Sequence, residues 1–214
     1  MSTAELAAES LIVANLALGA YAAIREAHRL TVWGNVQDYL YTANAKVTRF
    51  KNEIKKEMLS AFTEAFNEGY LDGGGDPDDK DAADDEWLTA KMNAEIGYID
   101  QMFAQLKELK TEAKEDPDVL KGVADKRADG YARGLDGIYS EGKIRGAKNM
   151  MLTFAGDDGA ESCVTCQKMK GQRHRASWWT KRGLTIFRGN TNYECGCYNC
   201  QHFLHDDKGS VYTF

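Results

Sequence analysis

Five cysteines and one histidine near the end of the chain carry the plainest chemistry in this sequence. Two residues separate Cys163 from Cys166, and a second cluster follows as Cys195, Cys197, Cys200 and His202. A two-residue spacing lets two thiolates reach one tetrahedral ion. No cysteine occurs before position 163. An odd number of cysteines, without an export signal, points away from a disulfide framework and towards thiolate coordination of a metal. Structural zinc is the reading these spacings favour. Cys163 and Cys166 form the firm pair and Cys200 is the firmest member of the second cluster, while Cys195, Cys197 and His202 compete for the remaining place. A site closed by four such ligands leaves no position for water, so the ion would hold the fold and would not catalyse.

Two other uses of the cysteines are open. A thiol-disulfide oxidoreductase would use Cys163 and Cys166, but a redox Cys-x-x-Cys usually stands alone at the start of a helix that follows a strand. Disulfides gain weight only in a protein that ends up outside a cell.

Between the clusters runs a basic and aromatic stretch, Gly171 to Arg182. Arg173, Arg175, Lys181, Arg182 and, further on, Arg188 are candidates for phosphate contacts, with Trp178 and Trp179 as stacking surfaces for bases. The plainer alternative is a loop whose two tryptophans cover the metal site while the cationic heads stay in water. His174 has no nucleophile partner, and His28 reads as an ordinary surface histidine in a helix. No catalytic constellation stands out, so neither an enzyme nor a small-molecule substrate is expected.

The elements that must position these residues are mostly helices. The chain has 214 residues, 43% of them hydrophobic and 28% charged, with 20 glycines and two prolines. That is enough for one large or two small domains, and it favours long helices broken by glycine. A net charge of -6 and a pI near 5.3 disfavour a protein whose main business is coating nucleic acid. No signal peptide is apparent, and the apolar run from Leu11 to Ile24 is too short to span a bilayer comfortably, which leads to the expectation of a soluble protein made in the cytosol.

Residues 4 to 30 predict a helix apolar on most sides, and so one that must be covered by a bundle or a partner. A second helix is predicted from about 36 to 70, where Ile54, Met58, Phe62, Phe66 and Tyr70 form a stripe taken as core. Residues 72 to 86 read as a solvated acidic loop. A calcium loop starting at Asp72 would need glycine and glutamate where Pro77 and Ala83 stand. The aspartates at the end of that loop suit the start of the next helix. That helix carries Leu88, Met92, Ile96, Ile99, Phe103, Leu106 and Leu109 at steps of three and four. A further helix is predicted around 119 to 151. Its glycines at 130, 134, 137, 142 and 146 each cost about 1 kcal/mol against alanine, and close packing against a neighbour would account for them. After Phe154 the composition changes. The expected organisation is a mainly α protein, a helical-bundle body over 1–154 with a small α+β zinc-stapled module over 155–214. The metal would be the staple for a segment too short to build a large core.

Several runs together resemble a known family: Tyr131 to Lys143, Met151 to Phe154, Glu161 to Cys166, Gly171 to Trp179, and Glu194 to Cys200. They are similar to the C-terminal half of tailed-phage head morphogenesis proteins, the minor capsid proteins like the F protein of phage Mu. The likeness is most specific over 131–204, weaker over about 45–130 and absent from 1–40. The second cluster in that family usually reads Cys-Gly-Gly, an aromatic, any residue, then Cys-x-Cys-x-Leu. Its cysteines fall here on Cys195 and Cys200, the last becomes His202, and the second glycine becomes Cys197, which leaves the fourth ligand open. The resemblance implies a low-copy virion protein of the phage head, assembled in the host cytoplasm. Its partners would be the portal or major capsid protein, with packaged DNA as a further one, and its role assembly, DNA packaging or delivery. Some members carry a C-terminal toxin domain, which is not expected in a chain ending at Phe214. A zinc-stabilised nucleic-acid-binding module is the competing function.

Overall fold

The structure, a computed structural model, describes residues 3–156, 164–182, 186–187, 190–191 and 202–212, with side chains over 19–155, 167–182 and 203–212. It is mainly helical with a small three-stranded sheet. Helix α1 spans Thr3–Tyr41, α2 Val47–Asp72, α3 Ala82–Glu112 and α4 Val123–Gly146. Strand β1 (Met151–Gly156) is followed by the short helix α5 (Val164–Met169), β2 (Arg173–Arg175), the short helix α6 (Ala176–Lys181), β3 (Ile186–Phe187), β4 (Asn190–Thr191) and β5 (His202–His205). No helix of the described residues is long and apolar enough to cross a membrane.

Two compact units share these elements. One comprises 22–64 and 81–135, the other 1–21, 65–80 and 136–214. The expected division at residue 155 falls inside β1, and the C-terminal strands group with the second half of α4.

In the first unit the apolar stripes do what their spacing predicts: Ile54, Met58 and Phe62 of α2 and Ile99, Phe103 and Leu106 of α3 are buried. The rings of Tyr39 and Phe103 meet edge to face at 5.2 Å. Helix α1 runs on to Tyr41, further than the predicted end near 30, and Lys110 of α3 closes its C-terminus. The Lys110 ammonium donates to the carbonyls of Tyr39 and Thr42, each at 2.6 Å. Helix α2 therefore starts at Val47 and not near 36. The described part of α1 is amphipathic, with Val32, Val36, Tyr39 and Leu40 buried but Leu30 and Trp33 exposed. His28 is not a surface residue: it is fully buried.

The acidic stretch is shorter as a loop than its composition suggested. Asp72 is the last residue of α2, a 3₁₀ turn occupies Pro77–Asp79, and α3 begins at Ala82. Asp81 caps α3 and exchanges hydrogen bonds with Asp84, a capping box that uses the terminal aspartates as the helix start anticipated for them.

The second unit rests on a glycine-lined crossing of α2 and α4. A Cβ at Gly69 or Gly73 would overlap the carbonyl oxygen of Tyr139 or Lys143, and one at Gly142 or Gly146 would overlap that of Phe66 or Tyr70. Backbone meets backbone on both sides, the contact that small residues four apart permit. Gly142 and Gly146 thus have the packing role expected of the α4 glycines. Gly130 and Gly134 do not, since open space lies where their Cβ would be.

Helix α4 stops at Gly146, and Met151 opens β1 instead of extending the helix. β1 is the central strand of the sheet, order β2-β1-β5, with both neighbours antiparallel. Alternation along β1 turns Leu152 and Phe154 inward, where Leu204 of β5, Trp179 of α6, Met169 and Tyr212 join Ile144 of α4 and Ala147, just past its end, in one core. The C-terminal residues bury their apolar surface against the end of α4, so their core is larger than residues 155–214 alone provide.

Candidate functional site

The cysteine clusters fall largely outside the described residues. Cys163, Cys195, Cys197 and Cys200 lie there entirely, Cys166 is described only as part of α5, and His202 only as the first residue of β5. What the described backbone fixes is where these segments attach. β1 ends at Gly156, which pairs with His202, the point where the segment carrying the second cluster enters the sheet. The segment carrying Cys163 leaves that same end of β1 and enters α5 at Val164. The return from α5 is pinned to β1 as well, because Gly171 N–H donates to the Phe154 carbonyl at 2.9 Å. Gly171 takes a φ of +79°, a left-handed turn that suits glycine. Thiolates with an imidazole are the donor set that zinc prefers. Among the described residues no group of three or more His, Cys, Asp or Glu is arranged to hold a metal ion.

The basic stretch is described except for Arg188, which lies outside. It is no loop. Arg173 and Arg175 belong to β2, and α6 carries the two tryptophans. Trp179 is fully buried, and its indole N–H is shared between the carbonyls of Leu152 at 3.2 Å and His174 at 3.3 Å. It is a core residue. Trp178 lies at the edge of that core. The His174 ring stacks on it at 3.6 Å, and the Arg182 guanidinium sits 4.0 Å from its centroid. Two groups so close to one ring cannot share a face, so both faces of Trp178 are taken. Arg173 pairs with Asp207, while Arg175 reaches Asn149, at 3.3 Å, among the described residues. Arg175, Lys181 and Arg182 remain as exposed cations around one short helix. They can meet phosphate oxygens, but Trp178 offers no open face to a base.

Sequence reasoning missed a set of buried polar residues beside the glycine crossing. The Asp72 carboxylate accepts from the Tyr139 hydroxyl at 2.8 Å and pairs with the Lys143 ammonium at 2.7 Å. Burial, reinforced by Asp72, pushes the Tyr139 phenol well up, so it stays a donor. One turn on, the buried pair Glu141 and Arg145 meets at 2.6 Å. Tyr21 donates to Asp136. The spacing of Glu141 and Arg145 was legible as an i,i+4 pair. Asp72 was hidden because three glycines follow it and make the helix end read as loop.

No protein-family model matches the chain, and neither a curated protein nor a solved structure matches it.

Proposed function

We propose that this chain is an assembly protein of a tailed-phage head, similar to the minor head proteins, with a helical body that docks on the portal or capsid. The observation that carries the reading is a coincidence between resemblance and fold. Tyr139, Gly142, Leu152, Phe154, Gly171, Trp179 and Leu204 lie in the region of closest likeness. They are also residues on which the second unit depends, for its crossing, its sheet core and its turn. A region of likeness that takes in these fold-determining positions supports a shared architecture, and the proposed role in head assembly rests on that architecture.

Zinc belongs to the same proposal. Cys163, Cys166 and Cys200, with one of Cys195, Cys197 and His202, would hold it, and its chemistry there is structural. Both cysteine segments attach at the Gly156–His202 end of the ladder, which supports a staple across that end. The second reading, phosphate contact with packaged DNA, is supported by the exposed cations Arg175, Lys181 and Arg182.

Quantitative mass spectrometry of purified empty heads and mature virions tests the assembly role. A small fixed number of copies per portal ring is expected, and absence from both particles would overturn it.

A further inference from the structure

The first unit contains a groove that neither the helix packing nor the assembly role uses. It runs between α3 and α4 with Phe62 of α2 at its base, and encloses about 300 Å³. That lies at the lower end of small-molecule sites. Helix α3 contributes Glu95, Tyr98, Met102 and Gln105, and α4 contributes Arg127 and Tyr131. Gly130 and Gly134 line the α4 side, where a side chain would otherwise occupy the space.

We propose that this groove binds an amine: a primary or quaternary ammonium carried on a flat apolar body, with the cation at Glu95. Glu95 stands in register with the apolar stripe of α3, three residues after Met92 and four before Ile99, so its carboxylate is held half-buried. It has no hydrogen bond or ion pair among the described residues; Lys91, on its own helix, acts on it only through space. Burial drives its carboxyl upward, the cost of a desolvated charge without a partner. The Tyr131 hydroxyl likewise has no hydrogen bond among the described residues. The rings of Phe62, Tyr98 and Tyr131 and the Met102 thioether supply the apolar walls and the π-faces that attract a cation.

Two cations also line the groove, and position decides the sign of the ligand. Arg127 donates to Gln105 at 2.6 Å. Gln105 is ten residues from Glu95, about 15 Å along α3 at the usual rise. Lys126 is exposed at that end. Glu95 and the Arg127–Gln105 contact therefore lie towards opposite ends of the groove, and Tyr131 between them feels both charges, Glu95 more strongly than Arg127.

Titration calorimetry of the full chain with phenethylamine, 2-phenylethanol and 3-phenylpropanoate tests the proposal, since the three share a body and differ in charge. Phenethylamine is expected to bind about tenfold or more tightly than the other two, the factor that one charge-assisted contact supplies. Glu95→Gln is expected to remove that preference without lowering the unfolding midpoint, because it removes a desolvated charge. Gly134→Leu, which fills the groove at a site with room, is expected to abolish binding with helix content retained. A preference for the carboxylate, equal binding of all three, no binding of the amine, or an unchanged preference in Glu95→Gln would each overturn it. The outcome is independent of the head-assembly reading.

Discussion

Gly146 of α4 lies directly against the carbonyl oxygen of Tyr70 in α2, where a single methyl group at position 146 would overlap that oxygen. Gly142 has the same relation to Phe66, while Gly130 and Gly134 of the same helix face open space. Four glycines of one helix thus divide into two classes, and alanine substitution separates them. Gly142→Ala and Gly146→Ala should destabilise by about 3 kcal/mol or more, because backbone must move to relieve the overlap. Gly130→Ala and Gly134→Ala should stabilise by roughly 0.5–1 kcal/mol through helix propensity. Denaturant unfolding monitored by helix signal reads both signs.

His28 gives the fold a sensitivity to acid. Burial lowers its pKa from 6.5 to about 4, and neither ring nitrogen has a hydrogen-bond partner among the described residues. The folded state therefore favours neutral imidazole. Its contribution to stability is fully present above pH 6.5 and is lost as the pH falls through about 4, since the unfolded chain takes up the proton first. The loss should amount to roughly 3 kcal/mol across that window. His28→Leu should flatten this part of the pH profile, and unfolding free energies measured at pH 7, 5.5 and 4 will show whether it does.

Asp72 is held by Tyr139 and Lys143 with its side chain 7% exposed. Asp72→Ala would leave a mostly buried ammonium unpaired and should cost about 3–5 kcal/mol. The paired change Asp72→Leu with Lys143→Met should recover most of that loss. Tyr139→Phe should cost about 1 kcal/mol, one hydrogen bond. A thermal-shift series on these variants would go against the linkage if the double variant were as unstable as the single one.

Removal of metal should expose the staple. Inductively coupled plasma analysis is expected to find a single zinc per chain, and a chelator should lower the melting temperature. Serine at Cys163, Cys166 or Cys200 should release the ion. Among Cys195, Cys197 and His202, loss of one should release it and loss of the other two should not, which identifies the fourth ligand. Retention of zinc in Cys163→Ser would remove the proposed set.

Contact with DNA through Arg175, Lys181 and Arg182 should be weak, salt-sensitive and indifferent to sequence. Three phosphates neutralised on a duplex give a slope of log K against log salt near −2.7, about 0.9 for each. Changing the three to glutamine should bring the slope to near zero. A slope that survives the change, or a marked base preference, would show that other residues make the contact.

The sequence by itself determined the helices with strong periodicity. Ile54, Met58, Phe62, Phe66 and Tyr70, and equally Ile99, Phe103 and Leu106, are buried as their spacing required, because a stripe at steps of three and four has one face to hide. The cap at Asp81 was legible for a similar local reason: its oxygen and the N–H groups it serves lie within one turn. Where α1 ends was not legible, because the groups that close it belong to Lys110, distant in sequence. The same holds for Trp179, which composition alone left as either a stacking surface for bases or the cover of a metal site, and which the pairing of β1 with β2 and β5 turned into core. Gly130 and Gly142 are identical as letters on one helix. Only the path of α2 decides that one of them touches backbone and the other opens onto a groove, since the space beside a glycine is set by what the rest of the chain brings there.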